Sequence, residues 1–221
     1  AAENGIEIVT EETIDVSDEG APSGQMTNLV QANPDAIVAV PSGRQCAAFM
    51  TELGNAKAAN PDFDPQVYMT ATCANPIFFD LLVSNGGSDA VYTSSNAKFV
   101  LSPEYADDEA VQTFLDAMAT YQPDTNAGDQ SALAGWLSME LSIYAAQQAL
   151  AAGDYSRAGI VNAARNIDYT PALLVDGLST SMNAEDAFFA EGTQLVQWSV
   201  DTKSFSPVGE VKDYNGTLGT Y

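Results

Sequence analysis

The 221-residue sequence predicts an α/β fold, a doubly wound parallel sheet. Three observations carry that expectation: apolar runs of strand length, amphipathic stripes at helical spacing between them, and Pro, Gly or Asn at nearly every junction. Residues 5–9 (Gly-Ile-Glu-Ile-Val) read as a first short strand. Ser23 is placed to cap a helix in which Met26, Leu29 and Val30 share one face, and Asn33-Pro34 ends it. Residues 35–40 form a continuous apolar strand of the kind buried on both faces of a parallel sheet. Pro41-Ser42-Gly43 turns the chain into a second helix, where Cys46, Phe49, Met50 and Leu53 follow i, i+3, i+4, i+7 spacing until Asn60-Pro61. A third strand lies at residues 66–70. Asn75-Pro76 then opens a helix carrying Ile77, Phe78, Leu81 and Leu82, which Gly86-Gly87 closes before a fourth strand at 90–93. Strand-helix alternation at this spacing calls for right-handed crossovers, hence parallel strands near Ile6, Ile37, Val67 and Val91 with helices on both faces.

The pattern changes after residue 104. Three helical stripes follow with no convincing strand: Val111, Phe114, Leu115 and Met118; then Leu133, Trp136, Leu137, Leu141 and Tyr144; then Ile160, Val161 and Ala164. Strand patterning returns after Asp168, clearest at residues 193–200, and residues 201–204 make a turn before Phe205.

Composition narrows the function. The 30 acidic residues against 7 basic ones give a net charge of −23, which repels nucleic-acid phosphate and anionic headgroups. The carboxylates are scattered rather than gathered in a tail, so they read as a solvated surface. There is no histidine. That removes Ser-His-Asp and Cys-His catalysis and His-ligated zinc, and it argues against an enzyme. Two cysteines alone cannot build a structural zinc site, and no cofactor motif is present. No apolar run has the length of a membrane span, and residues 1–5 lack the basic and apolar regions of a signal peptide.

The ordered set of elements resembles the branched-chain amino-acid-binding family, with the type I periplasmic binding fold. Residues 33–38 (Asn-Pro-Asp-Ala-Ile-Val) resemble a strand of that family's second lobe, and the helix with Cys46 and Leu53-Gly54 is similar to the one that follows. Residues 87–92 look like the strand leading to a hinge. Residues 132–150 look like the long helix after the second hinge, and residues 194–198 look like the closing hairpin. The resemblance implies an incomplete second lobe plus helices of the first lobe. Residues 1–95 would be the ligand-binding C-terminal lobe, 96–170 a helical segment of the N-terminal lobe, and 171–221 the return strands. It implies a hinge at Ser94, Ser95 and Asn96, and a missing N-terminal lobe, or another chain, covering the helices around Phe114 and Leu137. It also implies a solute-binding component of an ABC uptake transporter, outside the cytoplasm, with a membrane permease as partner and any signal removed or upstream. A sensory domain of the same fold is the alternative.

In open α/β sheets ligands sit outside the carboxyl ends of the strands. Two loops qualify. In the first, Ser42 can donate, Gly43 permits close backbone approach, Arg44 can grip a carboxylate with two hydrogen bonds, and Gln45 follows, all at a helix N-terminus. The plainer account makes Ser42 a helix cap and Arg44 a solvated side chain. The second loop offers Thr72 where the family's amino-acid binders place an acidic residue for the ligand's ammonium group. That departure suits an acid or amide lacking the ammonium; a carboxylate elsewhere, with Asp80 the nearest, would restore the amino acid. Asp107-Asp108-Glu109 reads as acidic residues complementing a helix dipole rather than as a metal cluster.

Cys46 falls in the first turn of the helix after one strand, and Cys73 just past the end of the next. Consecutive strands in such a sheet are usually neighbours, so both cysteines come to one carboxyl edge, within reach of a disulfide. An oxidising compartment, implied by the resemblance, favours the bridge over two buried free thiols.

Overall fold

The computed structural model describes residues 5–15, 17–18, 20–84 and 90–214. The chain divides into two compact units: Ala1–Ser94 with Val196–Ser206, and Ser95–Leu195 with Pro207–Tyr221. Residues 171–195, expected among the return strands, thus cluster with the second unit. Among the described residues no helix is long and apolar enough to cross a membrane.

The first unit alternates strand and helix. Helix α1 (Ser23–Ala32) leads to strand β1 (Ala36–Ala39), helix α2 (Arg44–Ala59), strand β2 (Gln66–Met69), helix α3 (Pro76–Ser84) and strand β3 (Val91–Ser95). Strands β1 and β2 are parallel with Ile37 opposite Val67, and β2 and β3 are parallel with Val67 opposite Val91. Strands β4 (Gln194–Ser199) and β5 (Ser204–Pro207) complete a sheet of order β1-β2-β3-β4-β5. Alternation sets the core. Ile37, Val67, Met69, Val91, Val196 and Trp198 are buried, together with Phe49, Met50 and Leu53 of α2 and Phe79 and Leu82 of α3. Phe79 meets Trp198 and Phe205 at ring-centroid distances of 4.9 and 4.6 Å. The expectation that residues 35–40 are buried on both faces is corrected, because residues of the opposite parity stay open: Val38 is 78% exposed, in register with half-buried Tyr68 and Tyr92, whose rings stack 5.2 Å apart.

Two local expectations are corrected here. Residues 5–9 form no strand, and Ile6 and Ile8 are 61% and 68% exposed. A strand needs a neighbour to take its backbone hydrogen bonds, and β1, the terminal strand, pairs only with β2. Ser23 is the first helical residue rather than the cap, which is Pro22. The predicted helix stop at Gly86-Gly87 lies outside the described residues.

The second unit contains helices α4 (Glu109–Tyr121), α5 (Gln130–Ala151) and α6 (Arg157–Ala164). Its core joins Val111 and Phe114 of α4 and Leu133 of α5 to Leu173, Leu174, Val175 and Leu178. Phe114 and Trp136 pack edge to face at 5.4 Å. The stripe around Phe114, expected to need another chain, is therefore covered from within, because the irregular 173–178 segment supplies apolar side chains that no periodicity announced. Leu137 is half-buried on the same core, while Met139, Ile143 and Leu150 of α5 face solvent. The predicted α6 stripe is also corrected: Ile160 and Val161 are exposed, and the helix buries Gly159 instead.

Asp108 caps α4, its carboxylate accepting the Val111 N–H at 3.0 Å, in line with the dipole reading of the acidic triplet. Among the described residues no group of acidic or cysteine side chains could hold a metal ion.

Candidate functional site

The site begins at the ends of β1 and β2. Ala39 lies opposite Met69, and the Thr70 N–H donates to the Ala39 carbonyl at 3.0 Å, so both strands release the chain at the same carboxyl edge. From β1 it passes through buried Pro41 to exposed Ser42, Gly43 and Arg44. From β2 it enters a single 3₁₀ turn, Ala71–Cys73. A disulfide between Cys46 and Cys73 joins the two, with Cα atoms 5.4 Å apart and both residues fully buried. Exposed Thr72 reaches back to the first loop, its hydroxyl 3.4 Å from the Pro41 carbonyl and 3.4 Å from the Thr70 hydroxyl. Ser42, Gly43, Arg44 and Thr72 therefore share one edge of the first unit.

Local geometry explains this arrangement. Gly43 is the N-cap of α2 at φ 56° and ψ −125°, a conformation that favours glycine, and it lets the chain turn from strand to helix in a few residues. No side chain caps α2, so Ser42 is not the cap that the plainer account made it. The positive end of the α2 dipole and the Arg44 guanidinium both lie at this edge, in a chain with only seven basic residues. Lys57 and Lys98 are engaged elsewhere, with Asp64 at 2.6 Å and with Asp108 at 2.7 Å. Asp80 pairs with Lys203 at 3.5 Å.

Gln45 does something the sequence did not suggest. Its side-chain amide donates to the backbone carbonyls of Asp15 at 2.9 Å and Asp18 at 3.0 Å. That brings the backbone at Asp15 and Asp18 to the start of α2. The Ser17 hydroxyl and N–H hold the exposed Asp15 carboxyl below the usual carboxylate range. No motif marks this loop; only its Asp and Ser content, which otherwise reads as linker, hinted at a turn.

Of the expected hinge residues, Ser94 and Ser95 flank the boundary between the compact units. The Asn96 carbonyl accepts the Val175 N–H at 3.0 Å, and the Ser95 carbonyl accepts the Thr193 hydroxyl at 3.2 Å. Elsewhere, an open groove of about 430 Å³ beside α5 and α6 is lined by Tyr144, Gln148, Asp154, Asn162, Asn166 and Asp168. The Asp154 carboxylate in it already accepts the Ser156 N–H of its own turn.

A family model described as "Periplasmic binding protein" matches residues 1–203. The chain belongs to the periplasmic binding protein family. Solved structures agree on the fold of this periplasmic binding protein. A fatty acid ABC transporter substrate-binding protein from Thermomonospora curvata superposes with a TM-score of 0.65 at 17% identity, covering 90% of this chain and 48% of that one. A solute-binding protein of an ABC transporter from R. palustris, in complex with benzoate, gives 0.64 at 16%, covering 94% and 51%. A possible leucine/isoleucine/valine-binding protein from Rhodopirellula baltica SH 1 gives 0.58 at 18%, covering 88% and 47%. The chain thus spans about half the length of these structures. No curated protein matches it significantly in sequence. The family is one of binding proteins rather than enzymes, and it implies a place outside the cytoplasm.

Proposed function

We propose that this chain is the ligand-binding portion of the extracytoplasmic component of an ABC uptake transporter. It takes a small carboxylate, an amino acid or a related acid or amide, at the edge formed by Ser42, Gly43, Arg44 and Thr72. The observation that carries the reading is the meeting of the β1 and β2 exit loops at one carboxyl edge, with Arg44 at the start of α2. A carboxylate placed there meets a guanidinium fork, a helix dipole and two hydroxyls. The similar structures include a fatty acid ABC transporter substrate-binding protein, a solute-binding protein in complex with benzoate and a possible leucine/isoleucine/valine-binding protein, which supports an organic acid. Ser94, Ser95 and Asn96 act as hinge, and a membrane permease receives the loaded protein. The relatives' greater length supports a second lobe that completes the cleft and lies over apolar surface left open here, such as Met139 and Ile143.

The test has two steps. Mass spectrometry of small molecules released from the purified protein by denaturation names the ligand class, and an organic acid is expected. Calorimetry with that compound on Arg44→Ala should then show affinity lowered about 10- to 100-fold, the size of a lost charge-assisted pair. Release only of compounds that carry neither a carboxylate nor an amide group, or unchanged affinity in Arg44→Ala, would remove the reading.

A further inference from the structure

We propose that Gln45 is a positioning residue. With Cys46 beside it, it makes the first turn of α2 a two-sided clamp that holds three loops as one preformed ligand rim. The inference rests on the reading of Ser42, Gly43, Arg44 and Thr72 as ligand contacts, and it assigns Gln45 a different role from theirs.

A primary amide carries two N–H donors. In Gln45 both are directed at backbone carbonyls, those of Asp15 and Asp18, which lie 30 and 27 residues earlier in the chain. That side chain therefore has no donor left to offer a ligand. On the other side of the same turn, buried Cys46 is bonded to Cys73, which fixes the turn bearing Thr72. One helical turn thus holds the loop that precedes it, the loop after β2 and the N-terminal loop. The N-terminal loop is anchored again on α1, where the Gln25 side chain donates to the Thr13 carbonyl at 3.1 Å and Asn28 to the Glu12 carboxylate at 3.0 Å. Segments without regular secondary structure lose conformational freedom when a ligand orders them, and fixing them beforehand removes that cost from binding.

The experiment compares the wild-type protein with Gln45→Met, which keeps the side-chain length but removes both donors, and with the Cys46→Ser/Cys73→Ser double variant. L-leucine, hexanoate and benzoate are titrated calorimetrically, and amide exchange is measured without them. Gln45→Met is expected to weaken every probe that binds by one common factor, about three- to tenfold, with a less favourable binding entropy. Exchange should rise at Asp15, Ser17 and Asp18 and stay unchanged in β1, β2 and β3. The cysteine variant should raise exchange at Ala71 and Thr72. A change in the ratio of affinities between probes would show that Gln45 touches the ligand, and would overturn the proposal. Unchanged exchange at Asp15, Ser17 and Asp18 in Gln45→Met would overturn it as well. If wild type binds none of the probes while the exchange pattern holds, the organic-acid reading fails and the clamp stands.

Discussion

Gly43 shows how much one residue can settle. It adopts φ 56° and ψ −125°, and a methyl group added there would meet nothing within 4 Å. The obstacle to a side chain is therefore backbone strain alone. Gly43→Ala is expected to cost about 1–3 kcal/mol in urea unfolding and to disturb the start of α2. A loss below a few tenths would mean that the turn relaxes freely. Lys98 is a second case. Its ammonium is almost fully buried, 2.7 Å from Asp108 and 3.2 Å from Asp176. Burial alone would lower the Lys98 pKa, but the two carboxylates outweigh it and the net shift is upward. Burial raises the Asp108 carboxyl, while hydrogen bonds from Lys98 and the Val111 N–H outweigh this and leave it below its usual range. The signs follow from linkage. The Asp108 contribution is present above the ordinary carboxylate range and is lost as pH falls through its depressed folded value; the Lys98 contribution is lost only on the alkaline side. Asp108→Asn should therefore destabilise the protein by about 2 kcal/mol at pH 7 and flatten the loss of stability in acid, as unfolding at pH 7 and pH 3 would show. At this scale the strand ends made it readable that Ser42, Arg44, Thr72 and the two cysteines lie at one carboxyl edge. The clamp by Gln45 was not, because its acceptors are backbone carbonyls, which have no signature in the sequence.

Among the elements, those that pack against a partner in the same unit were the legible ones. β1, β2 and β3 were visible as apolar runs and α2 as a stripe, because each buries a face against something else in the same unit. The α3 stripe is corrected: of Ile77, Phe78, Leu81 and Leu82 only Leu82 is buried, and Phe79, which the spacing passed over, takes the core instead while Ile77 and Leu81 are exposed. The alternation Ile6, Ile8 looks the same whether or not a neighbouring strand exists, so pattern alone could not tell an extended coil from a strand. The 171–192 stretch failed for the opposite reason. It packs Leu173, Leu174 and Val175 without regular hydrogen bonding, and so without a period to detect. The parallel sheet also keeps one open side, with Val38 and Val40 at 78% and 77% exposed beside the Tyr68–Tyr92 stack. Parallel sheets are normally covered on both faces, and an apolar edge strand such as β1 invites pairing between chains. This chain alone is expected to self-associate at raised concentration. Val38→Lys should reduce that, read as a lower weight-average mass in light scattering, with little change in thermal midpoint. A wild-type chain that stays monomeric at hundreds of micromolar would show that the edge is inert.

For the whole molecule the dominant physical fact is charge. Thirty carboxylates and seven basic groups leave −23 on 221 residues, and this charge repels itself in the folded state more than in an expanded one. Several ion pairs among the described residues oppose this. Lys57 and Lys98 bury their ammonium groups against Asp64 and Asp108, and Lys203 meets Asp80 at the surface. Screening acts differently on the two kinds of interaction. The Debye length falls from about 10 Å at 0.1 M salt to about 3 Å at 1 M, which suppresses repulsion between scattered surface carboxylates. The two buried ammonium pairs lie within 3 Å and are partly shielded from solvent, so salt weakens them far less. Repulsion should therefore be relieved faster than attraction is lost, and the fold should become more stable as salt is added. The expected outcome is a thermal midpoint that rises by several degrees between 0.05 and 1 M sodium chloride, steeply at first and then levelling. Chloride is the anion to use, because sulfate would add its own exclusion effect. Lowering the pH toward 5 in low salt should give only a small part of the same gain, since most carboxylates remain ionised there. A midpoint that falls with salt would mean that the ion pairs, and not the surplus of carboxylates, govern the stability of the chain.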